Sequence, residues 1–584
     1  MPSQDAVIVG GGLTGSRAAL AIAQRYPHLR LALISKVHPI RSHSVAAQGG
    51  MAAALGHLDA TDHWLDHAFD TVKGSDYLAD QNAVAILTQQ APQTVHELEK
   101  LGVLFSRDEE GRIAQRPFGG HSHPRACYAA DKTGHAILHE LVANLLVQPN
   151  VTLLAEWYVL RLIYEDGEVK GVVAYCLETG TVAAIPSKAV LLATGGYGRV
   201  FGTTSNDYAS TGDGLSLVAR EGLPLQDMEF VQFHPTGLYP AGVLISEAVR
   251  GEGAYLLNDR GERFMAHYAA SRDRMELAPR DITSRNIALE VAAGRGIGGG
   301  SYVHLDVRHL GREQILQKIP FAREEGLRLA GVDCMEAPLP VRPTAHYSMG
   351  GIPTDPDCRV LDRHSQPVPG LYAAGECACL SVHGANRLGA NSLLECAVFG
   401  QRAGETMGRE VGDRPIPSVA IPAYQEQATT AIAHLLQQSG TLRSAVLHRE
   451  VQEITTAACG IFREEAGLRA GGQQLAIAQE RFNQIFVDDK GSCFNTELVR
   501  VWQLQSVLTV ARAIAASALW RQESRGAHCR TDYPQRNDRD FLQHTLVFFE
   551  DFASGADPQT TGRTVDLSLQ AVDRPRFTPQ ERKY

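Results

Sequence analysis

Residues 6–37 read AVIVGGGLTGSRAALAIAQRYPHLRLALISKV, and this stretch decides the fold. The apolar run 6–9 predicts a strand, the residues after Gly15 are strong helix formers, and a second apolar run follows them. Gly10, Gly12 and Gly15 lie between strand and helix with the spacing of a dinucleotide-binding turn. The sequence therefore predicts a βαβ unit that binds a pyrophosphate at the N-terminus of the helix.

The end of the second predicted strand bears on which dinucleotide this unit binds. The glycines do not separate NAD from FAD. Many NAD-binding folds place an acidic residue at the end of that strand, where it binds the ribose. This chain has Ser35 and Lys36 there. The missing carboxylate disfavours simple NAD binding.

The loop after this strand, residues 41–50, reads RSHSVAAQGG. Its small residues and its two glycines would let a ring system lie close to the backbone. A lone loop histidine is more often a capping or solvent-facing residue. By itself the segment leaves both interpretations of His43 open.

Composition excludes several classes of protein. The 584 residues are 44% hydrophobic and 21% charged, which is typical of globular domains and argues against a disordered or fibrous chain. A net charge of -10 offers no basic footprint for nucleic acid, and no apolar run is long enough to cross a bilayer. The ten cysteines include no CxxC pair, so we expect no zinc or iron–sulfur cluster in this chain.

Changes in sequence character predict an α/β protein of five segments. Its Rossmann-like dinucleotide-binding domain is interrupted by an inserted α+β capping domain and followed by a helical domain and an extended C-terminal segment. The predicted boundaries are 1–228 and 346–415 for the two parts of the dinucleotide domain, 229–345 for the capping domain, 416–528 for the helical domain and 529–584 for the C-terminal segment.

Histidine and arginine residues recur in glycine-rich surroundings. Each by itself is most often a hydrogen-bonded structural residue. Together they would suit a small dianion, because arginine binds a carboxylate through a bidentate fork. The residues concerned are His234 in QFHPTG, Ser246, Glu247 and Arg250 in ISEAVRGEG, Arg280 in APRD, His346 in TAHYSMGG and Arg387 in HGANRLG.

Long motifs, in a fixed order over almost the whole chain, carry a family resemblance. They are GGGLTG, LISKVHPIRSHSVAAQGG, YAADKTGH, ATGGYGRV, TGDG, MEFVQFHPTG, RGEG, PVRPTAHYSMGGI, GECACLSVHGANRLGANSL and ESRGAHCRTDYPQR. With these motifs the chain resembles the flavoprotein subunits of succinate dehydrogenase and quinol:fumarate reductase. The resemblance implies an FAD-dependent oxidoreductase that interconverts succinate and fumarate in electron transport and the tricarboxylic acid cycle.

The resemblance implies a set of cofactor contacts. His43 matches the histidine that bonds covalently to the flavin. The other matching positions are Gly10, Gly12 and Gly15 at the diphosphate, Ser35 and Lys36 at the adenosine, Ser42, Ser44, Gln48, Gly49 and Gly50 around the ring, and Asp213, Glu376, Ser392 and Leu393 as further FAD contacts.

The resemblance also implies a substrate clamp and a proton path. His234, Ser246, His346 and Arg387 match ligands of the substrate carboxylates. Catalysis is assigned to Arg280 as the proton donor and acceptor, to Glu247 and Arg250 as its relay, and to His234.

The sequence also bears on the direction of the reaction and on alternative functions. Gln48 stands where some fumarate reductases carry glutamate, which favours succinate oxidation. Other motifs look closer to the fumarate reductase branch, so fumarate reduction is the alternative. A soluble enzyme resembling L-aspartate oxidase is a further alternative, because it shares the fold but holds FAD non-covalently.

The resemblance implies partners that this chain would need. An iron–sulfur subunit would receive the electrons, and membrane anchor subunits would carry them to quinone. We expect no nucleic acid partner and no metal ligands in this chain. The N-terminus begins at once with a strand-like run, so the sequence predicts no signal peptide and a position in or facing the cytosol. Together with the resemblance, this implies a peripheral position on the cytoplasmic face of a bacterial membrane.

Overall fold

The structure is a computed structural model that describes residues 2–412, 414–550, 552, 557–565 and 577–582. Within these ranges, no helix combines the length and the apolar character needed to cross a membrane.

The largest sheet contains the predicted βαβ unit. Its central strand, Gln4–Val9, pairs in parallel with Leu31–Ser35 on one side and with Val182–Leu192 on the other. Strands that pair in parallel and are covered on both faces read as continuous apolar runs, as these do. Because the chain continues on opposite sides of Gln4–Val9, a crevice forms at its carboxyl end. The other strands are Val151–Ala155, Trp157–Glu165, Glu168–Cys176, Arg359–Leu361 and Pro367–Ala373.

Helices cover this sheet, and two of them pack closely. Leu13–Arg25 follows the glycine turn and lies against Asn391–Val411. A side chain at Gly404 would place its Cβ 2.5 Å from the carbonyl oxygen of Ala18, so glycine is required for this approach. The other helices of this part are Trp64–Gly74, Gln81–Lys100, Thr133–Leu146 and Asp213–Arg220.

A second, antiparallel sheet of five strands has its own hydrophobic core. Leu339–Ser348 pairs with Val231–Leu238 and runs across the predicted boundary at 345/346, so one strand leads from the capping unit towards the dinucleotide domain. The other strands are Val243–Leu244, Tyr255–Leu257 and Val303–Asp306, and the helices are Glu247–Gly251, Arg280–Ala292, Arg312–Lys318 and Pro320–Glu325.

Four helices and a small sheet complete the described chain. The helices are Ile421–Gln437, Ser444–Cys459, Glu465–Arg481 and Thr496–Trp520. The C-terminal strands Gln543–Phe548 and Gln559–Thr564 form an antiparallel pair, and the first of them also pairs with Leu225–Gln226. Short strands form three further small sheets, from Met51–Ala52, Gln115–Arg116 and Ala126–Cys127, from Ile352–Pro353 and Ala378–Cys379, and from Leu442–Arg443 and Ile485–Phe486. Part of the predicted C-terminal segment, including residues 566–576, lies outside the described residues.

Candidate active site

A cavity of about 600 Å³ extends from the glycine turn to the five-stranded sheet. This volume lies within the usual range for cofactor sites. Most of the predicted site residues line it. They are Gly10, Gly12, Ser35, Lys36, Ser42, His43, Ser44, Gln48, Gly49, Gly50, Asp213, Glu376, Ser392 and Leu393 from the cofactor set and His234, Ser246, Glu247, Arg280, His346 and Arg387 from the substrate set.

The glycine turn forms one end of the cavity. Gly10 has a φ of +118°, and a Cβ there would lie 2.1 Å from the carbonyl oxygen of Ala193. A Cβ at Gly15 would lie 1.9 Å from the carbonyl oxygen of Gly10, so Gly15 packs helix on strand and does not line the cavity. A Cβ at Gly12 would lie in the cavity, 3.3 Å from the hydroxyl of Ser44. The backbone at Gly12 and the start of the helix are therefore open to a phosphate.

Lys36 and Asp213 meet at the adenosine end predicted from the sequence. The Lys36 ammonium bonds the Asp213 carboxylate and the Thr211 hydroxyl, the latter at 2.9 Å. Asp213 begins a helix directly after Gly212, whose φ of +75° favours glycine. The paired side chains offer both a donor and an acceptor to a ribose or an adenine ring.

His43 lies half-buried on the wall and contacts a segment distant in sequence. The side-chain amide of Asn206 is 3.2 Å from its Nε2, and the backbone N–H of Asp207 is 3.4 Å from its Nδ1. Asn206 also donates to the carbonyl oxygen of His346 at 2.8 Å. One side chain thus bridges the predicted flavin-linking histidine and a predicted substrate histidine.

Residues 48–50 are held by partners that the sequence did not reveal. The guanidinium of Arg116 donates to the carbonyl oxygens of Gln48 and Gly49 at 3.2 and 2.6 Å. The Gln48 amide donates to the carbonyl oxygen of Leu244 in the capping sheet at 3.2 Å. This loop therefore contacts both the dinucleotide domain and the capping unit.

Two neutral imidazoles face each other at the substrate end. The rings of His234 and His346 lie 5.0 Å apart. Burial lowers the pKa of each imidazole well below its usual value, and the positive charges of Arg280 and Arg387 lower it further. His234 accepts the backbone N–H of Thr236 at Nδ1, over 3.3 Å. Its buried Nε2 has no hydrogen-bond partner among the described residues.

A buried ion pair joins Arg280 to Glu247. The Arg280 Nε donates to Glu247 at 2.6 Å, and Arg250 lies 3.7 Å from the same carboxylate. Burial acts to raise the pKa of Glu247, but the charges of Arg280 and Arg250 outweigh it and hold the pKa at about 2. Arg250 does not line the cavity and stands behind Glu247.

Arg387 reaches the cavity from the loop before the helix Asn391–Val411. It lies over the Tyr347 ring at 4.5 Å and donates to the Ser392 hydroxyl at 3.3 Å. Burial, together with the charge of Arg280, lowers its pKa to about 9. Its Nε finds no hydrogen-bond partner in the ranges that the structure covers. An anion in the cavity would supply the missing partner.

Sequence reasoning missed Gln232, which connects the two arginines. Its Oε1 accepts from Arg280 at 3.0 Å, and its Nε2 donates to the carbonyl oxygen of Arg387 at 2.7 Å. It lies two residues before His234 on the same strand. The alternation of side chains along a strand was therefore a signal that could have found it.

The chain is similar to known proteins both in sequence and in structure. The FAD binding domain model matches residues 5–393, and the model for the fumarate reductase flavoprotein C-terminus matches residues 448–584. The chain belongs to the flavoprotein family of succinate dehydrogenases and fumarate reductases. The predicted family, its oxidoreductase class and its FAD-binding domain are thereby confirmed.

Individual relatives cover nearly the whole chain. The succinate dehydrogenase flavoprotein subunit of Rickettsia bellii is 44% identical and covers 93% of this chain and 92% of its own length. The fumarate reductase flavoprotein subunit of Mycobacterium tuberculosis is 43% identical, covering 99% and 98%. The solved structure of E. coli quinol fumarate reductase has a TM-score of 0.94 at 38% identity, covering 100% and 98%. The predicted fold class is confirmed, and the L-aspartate oxidase alternative is not favoured.

The residues present fit FAD. Gly12 leaves room beside a helix N-terminus, and Lys36 with Asp213 lies at the expected adenosine end. Glu376 lines the cavity between the two ends, and burial raises its pKa to about 7. A carboxyl group that is protonated near neutral pH can donate a hydrogen bond to a cofactor hydroxyl or carbonyl.

Two other clusters of polar residues have partners within the protein. Ligand atoms of Asp62, Asp66 and His123 lie within 4.8 Å of one another, but Asp62 is bound by Arg125 and His123 by Asp59, each at 2.7 Å. In the ESRGAHCRTDYPQR motif, Arg525 and Arg530 are buried and bond carboxylates of the same segment.

Proposed function

We propose that this chain interconverts succinate and fumarate at the arginine-rich end of the cavity. The observation that carries the proposal is the convergence of His234, Ser246, His346, Arg280 and Arg387 on one wall. These residues come from four separate parts of the sequence, and their free donors match the two carboxylates of a small dianion.

The clamp has two ends. Arg387 and His346 bind one carboxylate, and His234 with Ser246 binds the other. Ser246 accepts the N–H of Ala248 at 3.2 Å, which leaves its hydroxyl proton free to donate. Fixing both carboxylates holds the substrate carbons in one orientation. Such orientation of the reactants supplies much of the acceleration of a bimolecular step.

Arg280 moves the proton, and FAD, when bound, would supply the hydride-transfer chemistry. Arg280 stands at the cavity with its Nε donating to Oε2 of Glu247, and an Arg250 nitrogen lies 3.7 Å from the same oxygen. The proposed path to the substrate is the group of Arg250, Glu247 and Arg280, in which Glu247 is hydrogen-bonded to Arg280 and in ionic contact with Arg250. Glu247 stays ionised, so its carboxylate can accept a proton from Arg250 or from Arg280 when the proton on Arg280 is replaced between turnovers.

The reaction is tested with the purified, FAD-loaded chain. Succinate should reduce a soluble dye, and malonate, a non-reacting dicarboxylate, should compete with it. Arg387→Gln and His234→Gln should each weaken malonate binding, whereas monocarboxylate binding should change less. Equal losses for both ligands would contradict the two-ended clamp.

We propose further that FAD is bound covalently through His43. The support is the position of this imidazole on the cavity wall, with both ring nitrogens close to donors of the segment 206–207. His43→Ser should leave FAD bound but extractable by acid, and should reduce succinate oxidation more than fumarate reduction. Acid-stable flavin in His43→Ser would exclude this attachment.

The proposed direction is succinate oxidation. Gln48 places a neutral amide, not a carboxylate, beside the ring end of the cavity. A negative charge there would disfavour electron addition to the flavin, and its absence favours electron uptake from succinate. Gln48→Glu should lower the ratio of succinate oxidation to fumarate reduction. An unchanged ratio would leave fumarate reduction as the favoured direction.

We also propose an iron–sulfur partner subunit, a membrane anchor beyond it and a peripheral place on the cytoplasmic face of a bacterial membrane. The relatives are named as flavoprotein subunits, and one related solved structure is a quinol fumarate reductase with menaquinol molecules. The chain alone should pass electrons to a dye but not to a quinone. Quinone reduction by the iron-free chain would contradict this assembly.

A further inference from the structure

The neutral state of His346 raises a question about its single proton. An imidazole without charge has one N–H donor and one acceptor nitrogen. A carboxylate can bind only the nitrogen that carries the proton. Burial and the neighbouring arginines keep His346 neutral, so the tautomer decides whether it attracts or repels a substrate carboxylate.

The facing histidine shows how the chain can fix a tautomer. Nδ1 of His234 accepts the backbone N–H of Thr236, which places the proton on Nε2. This Nε2 is buried and still lacks a hydrogen-bond partner in the described structure. The backbone N–H of Thr236, with the Thr236 hydroxyl at 3.3 Å from the same nitrogen, therefore makes His234 a donor at Nε2.

His346 has a side-chain partner at the corresponding nitrogen. The hydroxyl of Ser205 lies 2.7 Å from its Nδ1, and Ser205 lines the cavity beside it. The backbone holds Ser205 in place, because its N–H donates to the carbonyl oxygen of Ala345 at 3.0 Å. The neighbouring Thr204 hydroxyl donates to the same oxygen at 2.8 Å.

We propose that Ser205 is a positioning residue for substrate binding: its hydroxyl donates to Nδ1 of His346, so that Nε2 carries the proton and donates to a substrate carboxylate. The opposite arrangement would direct a nitrogen lone pair at the anion. Since the hydroxyl can rotate, a bound dianion selects the donating arrangement. This inference rests on the carboxylate clamp proposed above and names a residue that tunes it.

The first test compares Ser205→Ala with Ser205→Thr in the FAD-loaded chain. Loss of the hydroxyl should weaken malonate binding about tenfold by calorimetry, the size expected for one hydrogen bond to a charged group. The KM for succinate should rise by a similar factor, with a smaller change in kcat. Ser205→Thr keeps the hydroxyl and should restore most of the affinity.

Thr204→Val is the matched structural control. It removes a hydroxyl one residue away that bonds backbone and does not contact the imidazole. It should lower stability without the loss of malonate affinity. Equal losses of affinity in Thr204→Val and Ser205→Ala would assign both residues to structure and overturn the proposal.

A double-mutant cycle with His346→Gln completes the test. If Ser205 acts through His346, Ser205→Ala should add no further loss in the His346→Gln background. Additive losses would overturn the proposal. If His346→Gln weakens malonate binding but Ser205→Ala does not, only this inference fails. If His346→Gln itself leaves binding intact, the proposed clamp fails and the role of Ser205 fails with it.

Discussion

Two arginine-rich clusters are buried in this molecule, and they differ in how their donors are used. In the C-terminal cluster, Arg521 bonds Glu229 and Glu523 at 2.5 and 2.9 Å and also reaches two backbone carbonyls and a hydroxyl. At the substrate end of the cavity, Arg280 pairs with Glu247, whereas Arg387 contacts a hydroxyl and an aromatic face.

This difference in hydrogen-bond partners distinguishes the structural cluster around Arg521 from the proposed binding cluster around Arg387. Burial acts to lower the pKa of Arg521, but Glu229 and Glu523 outweigh it and raise that pKa, whereas the pKa of Arg387 falls to about 9. A buried charge without full compensation costs free energy, so it is retained where a ligand supplies the compensation. The neighbouring Arg525 and Arg530 also bond carboxylates, which makes the C-terminal motif an internal clamp.

The largest effect should come from Arg280→Gln. Turnover should fall by roughly 10²–10⁴-fold, the loss expected on removing a general acid, while malonate still binds. Arg285→Gln, on the same helix but paired with Asp281, is the matched control and should keep turnover. Steady-state rates of the two variants, measured at matched FAD content, test this prediction. Near-normal turnover in folded Arg280→Gln would reassign the proton to His234 or Arg250.

Next in size is Arg521→Gln, which attacks the structural cluster. It leaves Glu229 and Glu523 buried with less compensation, so the free energy of unfolding should fall by about 3–5 kcal/mol. Denaturant titration measures this change. Arg500→Gln, at an exposed position on the helix Thr496–Trp520 that ends one residue before Arg521, should change stability by less than about 0.5 kcal/mol. Equal stability of the two variants would contradict the comparison.

Arg387→Lys should reduce kcat/KM for succinate by a factor that corresponds to about 2–4 kcal/mol, because an ammonium cannot reproduce the planar fork. Stability should change little, since the side-chain contacts of Arg387 among the residues described are a hydroxyl and an aromatic ring. Comparing kinetics with thermal unfolding separates the two effects. A variant that loses stability but keeps kcat/KM would place Arg387 with the structural cluster.

The most gradual expected effect is a pH dependence of stability from His544, spread over the range from about pH 6.5 to about pH 9. Burial acts to lower its pKa, but Asp227 and Asp80 raise it to about 9, above the usual value of about 6.5 for an unfolded chain. The stabilisation is therefore complete below pH 6.5 and is lost as pH rises towards 9, by up to about 1.4 kcal/mol per pH unit. Unfolding free energies from pH 6 to 9.5 measure it. His544→Gln should remove this slope, and an unchanged slope would exclude His544 as its source.

The pKa values of His234 and His346 show the same contrast between the two clusters when they are compared with that of His544. Their neighbours are arginines and not carboxylates, so their pKa values move down where that of His544 moves up. Two buried histidines of this protein are thus neutral and a third is positively charged near neutral pH, because of the groups packed around them. Burial alone does not decide the direction.

The glycine turn and the residues named by motif could be predicted because their information is local. Gly10, Gly12 and Gly15 satisfy a spacing that a short strand and a helix impose on any chain. Conversely, Gln232, Asn206 and Ser205 act on partners as far away as residue 387, and nothing local distinguishes them from ordinary polar residues. Their hydrogen bonds exist only after the strands 231–238 and 339–348 pair.

The sequence by itself determined the βαβ unit and the family resemblance, because periodicity and motif spacing are properties of contiguous residues. Tertiary structure alone decided which charges meet. Arg280, Arg387 and Arg521 are equivalent side chains in the sequence. Packing gave Arg521 carboxylates on several sides and left Arg387 facing a cavity. The electrostatic energy of a buried group depends on distance to charges brought from elsewhere in the chain, and only the folded molecule fixes those distances.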